Sequence, residues 1–217
     1  MDDDKTCFLE KDLKVFSAHS PSRVIIAGYS NSGKSYICTK LIEKYHQEFS
    51  HVVICGVEKH ALQQRFPNIT VSREIIDPLQ YQIDNEAILF VLDDTFMEAI
   101  NSKFVVESFT KGRHSNLSVI LVTQNIFGQG KYARTIALNA SHFILTRNRD
   151  ICQIETLFRQ LFGKKRVQDA TDVYRKAVYS QPFGYLLIDI GPRTPDILQL
   201  RSNILDEVPS CELVYQL

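Results

Sequence analysis

Eight consecutive residues, Gly28-Tyr29-Ser30-Asn31-Ser32-Gly33-Lys34-Ser35, have the types and spacing to hold a polyphosphate. They fit the pattern G-x-x-x-x-G-K-[ST] at every position. In that pattern successive backbone N–H groups wrap an anion, helped by the N-terminus of the helix that follows. Gly28 and Gly33 permit backbone angles and close approaches that a Cβ would obstruct. Lys34 can reach β- and γ-phosphates, and the Ser35 hydroxyl can join a Mg²⁺ shell. Tyr36 carries the binding segment into the helix. A nucleoside triphosphate is therefore expected, with ATP and Mg²⁺ as the ligands.

Two further groups could complete a hydrolytic site. The apolar run Ile88-Leu89-Phe90-Val91-Leu92 ends in Asp93-Asp94, the arrangement of a Walker B strand. The first carboxylate can hold Mg²⁺ together with Ser35, and the second can orient and polarise an attacking water. Farther on, Ser118 to Thr123 leads into Gln124-Asn125. An amide at a strand tip can donate to a γ-phosphate and hold water by its carbonyl. Lys34, Asp94 and Gln124 are thus the catalytic candidates, with Ser35 and Asp93 at the metal. A guanidinium can neutralise charge on the transferred phosphoryl. Arg134, Arg147, Arg149 and Arg159 all lie past the sensor strand, and Arg134 is the first candidate for that role.

These groups work only if strands and helices bring them together. Arg23 to Ala27 reads as a buried strand and Tyr36 to Tyr45 as a helix, so the phosphate loop sits between them. Further apolar runs occur at His51 to Cys55, Ile88 to Leu92, Ser118 to Thr123 and His142 to Thr146. Continuous runs of this length, separated by helix-compatible segments, predict a parallel sheet covered on both faces. A small strand is expected near Ile69 to Val71. Helices are expected over Asp150 to Phe162, with Asp150 as N-cap, and over Val167 to Val178. Gly184 to Asp189 and Ile197 to Arg201, joined by a turn-rich Gly191-Pro-Arg-Thr-Pro195, predict an antiparallel hairpin at the sheet edge. The fold class is α/β: a P-loop NTPase with a mainly parallel central sheet, flanking helices and a C-terminal edge β-hairpin. Residues 1–20 read as a loosely held lead-in and 21–217 as one ATPase domain.

The bulk properties narrow the class. A chain of 217 residues, 44% hydrophobic and 23% charged, suits one soluble globular domain. No apolar run reaches the roughly 18 residues of a membrane span. The acidic start Met1-Asp-Asp-Asp-Lys5 lacks the basic and apolar parts of a secretory signal. Five cysteines without a C-x-x-C pair suit a reducing interior. An intracellular location, not a secreted one, is expected. Net charge is zero, but ten Lys/Arg face four acids between Lys131 and Lys176. That stretch fits either a solvated helical face or a surface for nucleic acid.

The segment from Gly112 to His142 resembles the genome-packaging ATPases of Maverick/Polinton elements, adintoviruses and virophages. It is more distantly similar to the poxvirus packaging ATPase. All belong to the FtsK/HerA superfamily of DNA pumps. The likeness rests on Thr123-Gln-Asn-Ile-Phe127, on the Lys131-x-x-Arg134-Thr-Ile-x-Leu-Asn139 unit, and on Asn148-Arg-Asp150 followed by Gln153. Pro182-Phe-Gly-Tyr-Leu-Leu-Ile-Asp189 also matches, and the similarity spans roughly residues 22 to 205. The family's usual Asn-Pro-Arg-Asp is one residue shorter here, which leaves open whether Arg149 takes the place of its arginine. The resemblance implies Lys34 and Ser35 at the phosphates and Mg²⁺, Asp93 and Asp94 as Walker B, and Gln124 as sensor. It also implies a hexameric or pentameric ring that threads double-stranded DNA into a capsid or portal-like vertex, at sites of virion assembly in host cytoplasm or nucleus. The glycine-bearing loop Asn125 to Lys131 could line the pore. Other readings are a nucleotide-binding interaction module and a small-molecule or nucleotide kinase. The sensor Gln124 disfavours the kinase.

Overall fold

The computed structural model describes residues 6–9, 14–17, 20–56, 59–205 and 212–217. Along the chain, β1 (Thr6–Leu9) and β2 (Arg23–Ala27) precede α1 (Lys34–Tyr45). Next come β3 (His51–Gly56), α2 (His60–Arg65), β4 (Ile69–Ser72) and β5 (Ile88–Asp93). Then follow α3 (Phe96–Ala99), α4 (Lys103–Lys111), β6 (Leu117–Thr123) and α5 (Ala133–Asn139). The chain continues through β7 (His142–Leu145), α6 (Ile151–Phe162), α7 (Val167–Tyr179) and β8 (Leu186–Asp189). It closes with β9 (Leu200–Ser202) and β10 (Glu212–Tyr215).

These ten strands form one sheet in the order β1-β10-β9-β8-β7-β2-β6-β5-β3-β4. The six from β7 to β4 are parallel, as their buried apolar runs require. The four from β8 to β1 are antiparallel. β6 lies between β2 and β5, so the strand bearing Asp93 does not touch the strand that feeds Gly28.

Alternation along each strand divides the core between two faces. Val24, Ile26, Val52, Ile54 and Val91 pack against Ile37, Leu41 and Ile42 of α1. Ile25, Val53, Phe90 and Leu121 face the helices α4 to α7 on the other side. α6 and α7 show why amphipathic periodicity was legible. α6 turns Ile154, Leu157 and Phe158 inward, and α7 turns Ala170, Tyr174 and Val178 inward.

Three expectations shift. The hairpin β8–β9 does not end the sheet, because β10 pairs with β9 and β1 pairs with β10. Its second strand starts late, at Leu200. The N–H of Leu198 donates to Pro195 O at 2.9 Å, which makes a turn of 196–198 instead of strand. Within residues 1–20, read as a lead-in, Thr6–Leu9 forms a strand and Phe16 is fully buried against Tyr45 and Phe49.

Candidate nucleotide site

All parallel strands point their C-terminal tips to one rim, where ligand crevices of open α/β sheets form. Gly28 follows the tip of β2 and cannot carry a side chain. A Cβ there would collide with Thr146 Oγ1 and lie 2.8 Å from Arg147 O. The loop is stitched to the end of β7 through these same residues. Tyr29 N–H donates to Arg147 O at 3.0 Å, and the Ser32 and Thr146 hydroxyls lie 2.6 Å apart. Asn31 and Gly33 take left-handed angles, with φ of 64° and 94°.

Gly33 stands at the N-cap of α1 and offers no side-chain acceptor to it. Two other helices are closed by a side chain, while α7, like α1, has none. Ser102 accepts from Val105 N–H at the start of α4, and Asp150 accepts from Cys152 N–H at the start of α6. A helix N-terminus needs partners for its first N–H groups. At α1 the uncapped end follows a loop with left-handed Asn31 and Gly33, the form of a phosphate cradle. Lys34 Nζ meanwhile donates to Tyr29 O at 2.9 Å, within the loop itself. Partial burial pulls the Lys34 ammonium below its usual value, against the opposing pull of Asp93 and Asp94.

A cavity of about 970 Å³ opens beside the loop, and Lys34, Ser35, Asp93, Asp94 and Gln124 all line it. Four segments distant in sequence meet here because β6 is inserted between β2 and β5. Asp93 is buried at the end of β5, and its Oδ1 accepts a long 3.4 Å hydrogen bond from Ser35 Oγ. Asp94 is exposed and adopts a left-handed φ of 64°. Non-glycine residues held there store strain of about 1–3 kcal/mol, and such strain gathers at functional positions. Gln124 is exposed at the tip of β6.

The donor set fits Mg²⁺. Ser35 Oγ and Asp93 Oδ1 are adjacent hard oxygens beside an uncapped helix end. No cluster of three or more His, Cys, Asp or Glu suited to a metal occurs among the described residues. Two protein oxygens, with phosphates supplying further ligands, is the usual manner of Mg²⁺ at nucleotides.

Several contributors escape sequence reasoning. Lys59, just after β3, places its Nζ 3.0 Å from Asp93 Oδ2, and both side chains are nearly sealed from solvent. Burial alone would lower the Lys59 ammonium, but Cys38 and Asp93 outweigh it and raise its value. The Cys38 thiol, wholly buried beside them, is pushed up to about 11, chiefly by that burial. Nothing in the pattern around Lys59 signals this, since the contact depends on β3 lying next to β5. Thr95 lines the cavity with a buried hydroxyl that has no hydrogen-bond partner among the described residues. Gln153, matched by pattern but given no role, ties the loop after β6 to α6. Its Oε1 accepts from Ile126 N–H at 3.1 Å, and its Nε2 reaches Asp150 Oδ2 at 3.0 Å.

The remaining candidates fall outside the cavity lining. Tyr36 is exposed in the first turn of α1, and Arg134 is exposed on α5. Arg147 donates to Val178 O, and the Arg149 guanidinium lies 5.2 Å from the Tyr29 ring centre. The Asn125–Lys131 loop does not project freely. Cβ atoms on Gly128 and Gly130 would meet Phe96 and Ile100 at 2.5 Å, so the glycines serve close packing on α3. Phe127, Gly128 and Gln129 of that loop line the cavity.

The fold is shared with known ATPases. The genome packaging NTPase B204 of Sulfolobus turreted icosahedral virus 2, in complex with ATP-gammaS, matches with a TM-score of 0.57 and 14% identity, covering 80% of this chain and 94% of that one. The DNA-packaging ATPase B204 of Sulfolobus turreted icosahedral virus matches with a TM-score of 0.54 and 12% identity, over 82% and 96% of the two chains. The cytoplasmic domain of the Thermomonospora curvata Type VII secretion ATPase EccC gives a TM-score of 0.53 at 12% identity. It covers 91% of this chain but 25% of EccC, so this chain spans a quarter of that domain. At such identities the likeness is one of fold, the mixed α/β fold of P-loop NTPases. No protein-family model matches the chain, and no curated protein matches it in sequence.

Proposed function

We propose that this chain is an ATPase that drives double-stranded DNA into a capsid, acting as a ring of identical subunits. One observation carries the reading: Lys34, Ser35, Asp93, Asp94 and Gln124 converge on one cavity beside an uncapped helix N-terminus. The viral packaging neighbours, one of them in complex with ATP-gammaS, support it, as does the resemblance to Maverick/Polinton, adintovirus and virophage packaging ATPases.

In this reading the N–H groups at the start of α1 bind the phosphate chain, and Lys34 leaves Tyr29 O to neutralise the β- and γ-phosphates. Ser35 and Asp93 would hold a Mg²⁺ that supplies charge stabilisation at the transferred phosphoryl. Asp94, at the open mouth, orients a water and takes its proton as the water oxygen attacks the γ-phosphorus. The β–γ bridging P–O bond breaks, leaving ADP and phosphate. Gln124 donates to the γ-phosphoryl oxygens. Arg134, exposed outside the cavity, is available to the site of an adjacent subunit.

DNA contact needs no base readout, because phosphates supply sequence-independent affinity. The basic excess on 131–176 is the surface for it, and its exposed tip is Lys164-Lys165-Arg166 between α6 and α7. With zero net charge, duplex affinity arises on assembly, when these tips are repeated around a ring. The partner at the capsid is the shell or a portal-like vertex, and the setting is intracellular.

The test is steady-state ATP hydrolysis with and without long duplex DNA. Stimulation by DNA, lost at 0.5 M salt and in Lys34→Ala, supports the reading. Hydrolysis indifferent to DNA in an assembled ring contradicts it.

A further inference from the structure

The turn Pro182-Phe183-Gly184 contributes nothing to the hydrolytic cavity, yet it lies directly on the Gly28–Ser35 loop. A Cβ on Gly33 would sit 2.7 Å from Phe183 Cδ1. Phe183 itself has a φ of 57°, in the left-handed region that bulky residues seldom enter. Its neighbour fixes that geometry. Gly184 N–H donates to Gln181 O, and a Cβ on Gly184 would lie 2.7 Å from Ala177 O at the end of α7. The strain does not serve burial, because Phe183 remains 52% exposed. It lies 5.8 Å, centre to centre, from the Tyr36 ring, which is 55% exposed.

We propose that Phe183 and Tyr36 form the stacking surface for the nucleobase of the bound triphosphate. The proposal rests on the reading of residues 28–35 as the phosphate cradle. Polarity of the site then places the base. Asp93, Asp94 and Gln124 gather at the γ-phosphate end, inside the cavity, and neither aromatic ring lines that cavity. Ribose and base must leave on another side of the loop. Tyr36 follows Ser35 immediately and Phe183 covers Gly33, so two flat, uncharged, exposed rings stand where the phosphate chain emerges. Every base presents a π-face, so stacking tolerates base identity. ATP and GTP should therefore bind alike, and purines should exceed pyrimidines because they cover more ring.

The test compares Mg²⁺·ATP with inorganic tripolyphosphate by calorimetry on the full chain, as wild type, Phe183→Ala and Phe183→Tyr. Phe183→Ala is expected to weaken ATP about tenfold, leave tripolyphosphate unchanged, and be rescued in Phe183→Tyr. An equal loss for both ligands would show that Phe183 shapes the phosphate loop, and unchanged ATP binding would show that it touches no base. Either outcome overturns the proposal. A changed oligomeric state with unchanged ATP affinity would assign the rings to a subunit contact and overturn it too. Wild type binding neither ligand would refute the phosphate-cradle reading itself.

Discussion

Asp93 and Asp189 are both buried carboxylates at strand ends, and both face a cation. Their second oxygens differ. Asp189 Oδ2 pairs with Arg201 at 2.7 Å, while Oδ1 accepts from Gly191 N–H at 3.0 Å and Thr194 Oγ1 at 2.8 Å and faces His142 Nε2 at 3.3 Å. Asp93 Oδ2 pairs with Lys59, but Oδ1 has the 3.4 Å contact to Ser35 and opens toward the cavity. One carboxylate is consumed by the fold, and the other keeps an oxygen in reserve for a ligand. The regions around them follow suit. In the antiparallel half, fully buried Arg201 bridges Asp189 and Glu212, locking β8, β9 and β10 together. At the tips of the parallel half, exposed Asp94 and Gln124 are left unsealed.

The contrast can be broken by substitution. The largest effect belongs to Asp94→Asn. Hydrolysis should fall about 10²- to 10⁴-fold, the range of a lost general base, while urea denaturation stays within about 0.5 kcal/mol of wild type. Arg201→Met should do the reverse. It removes the buried cation that Asp189 and Glu212 share, so stability should fall about 3–5 kcal/mol, visible as a lowered urea midpoint. An Arg201 variant of normal stability would dissolve the contrast. Lys59→Met lies between the two. It strands Asp93 Oδ2 and should cost about 1.5–3 kcal/mol, and that cost should shrink when combined with Asp93→Asn in a double-mutant cycle.

The smallest effect is on acid stability. Burial pushes Asp189 upward, but its hydrogen bond and charge interaction with His142, with help from Gly191 N–H and the Thr194 hydroxyl, hold it well below the usual carboxylate range. A depressed folded value contributes stability above the unfolded value near ~4, and that stability is lost as pH falls toward the folded value. Denaturation midpoints followed from pH 5 downward should therefore fall less steeply in Asp189→Asn, which has no such contribution to lose.

The parallel half was legible because its strands are unbroken apolar runs and its chemistry is local. Gly28 to Ser35, Asp93-Asp94 and Gln124 each sit where a strand stops. The antiparallel extension was not. β10 is four residues long, Glu212-Leu-Val-Tyr215, and it pairs with β1 from the other end of the chain. Neither strand has enough length for its pattern to show. Lys59 and Phe183 escaped for a related reason. Their neighbours are set by strand order and by a tight turn on α7, not by spacing. The glycines of the 125–131 loop mislead in the opposite sense. Composition suggests freedom, whereas close packing on Phe96 and Ile100 is what requires them.

The most direct measurement is ATP-dependent displacement of a third strand from a DNA triplex by the assembled protein. Movement along the duplex predicts displacement with ATP, and none with AMPPCP or with Asp94→Asn. ATP hydrolysis at full rate on the same DNA, with the third strand left in place, would contradict translocation and leave an ATPase that serves some other end.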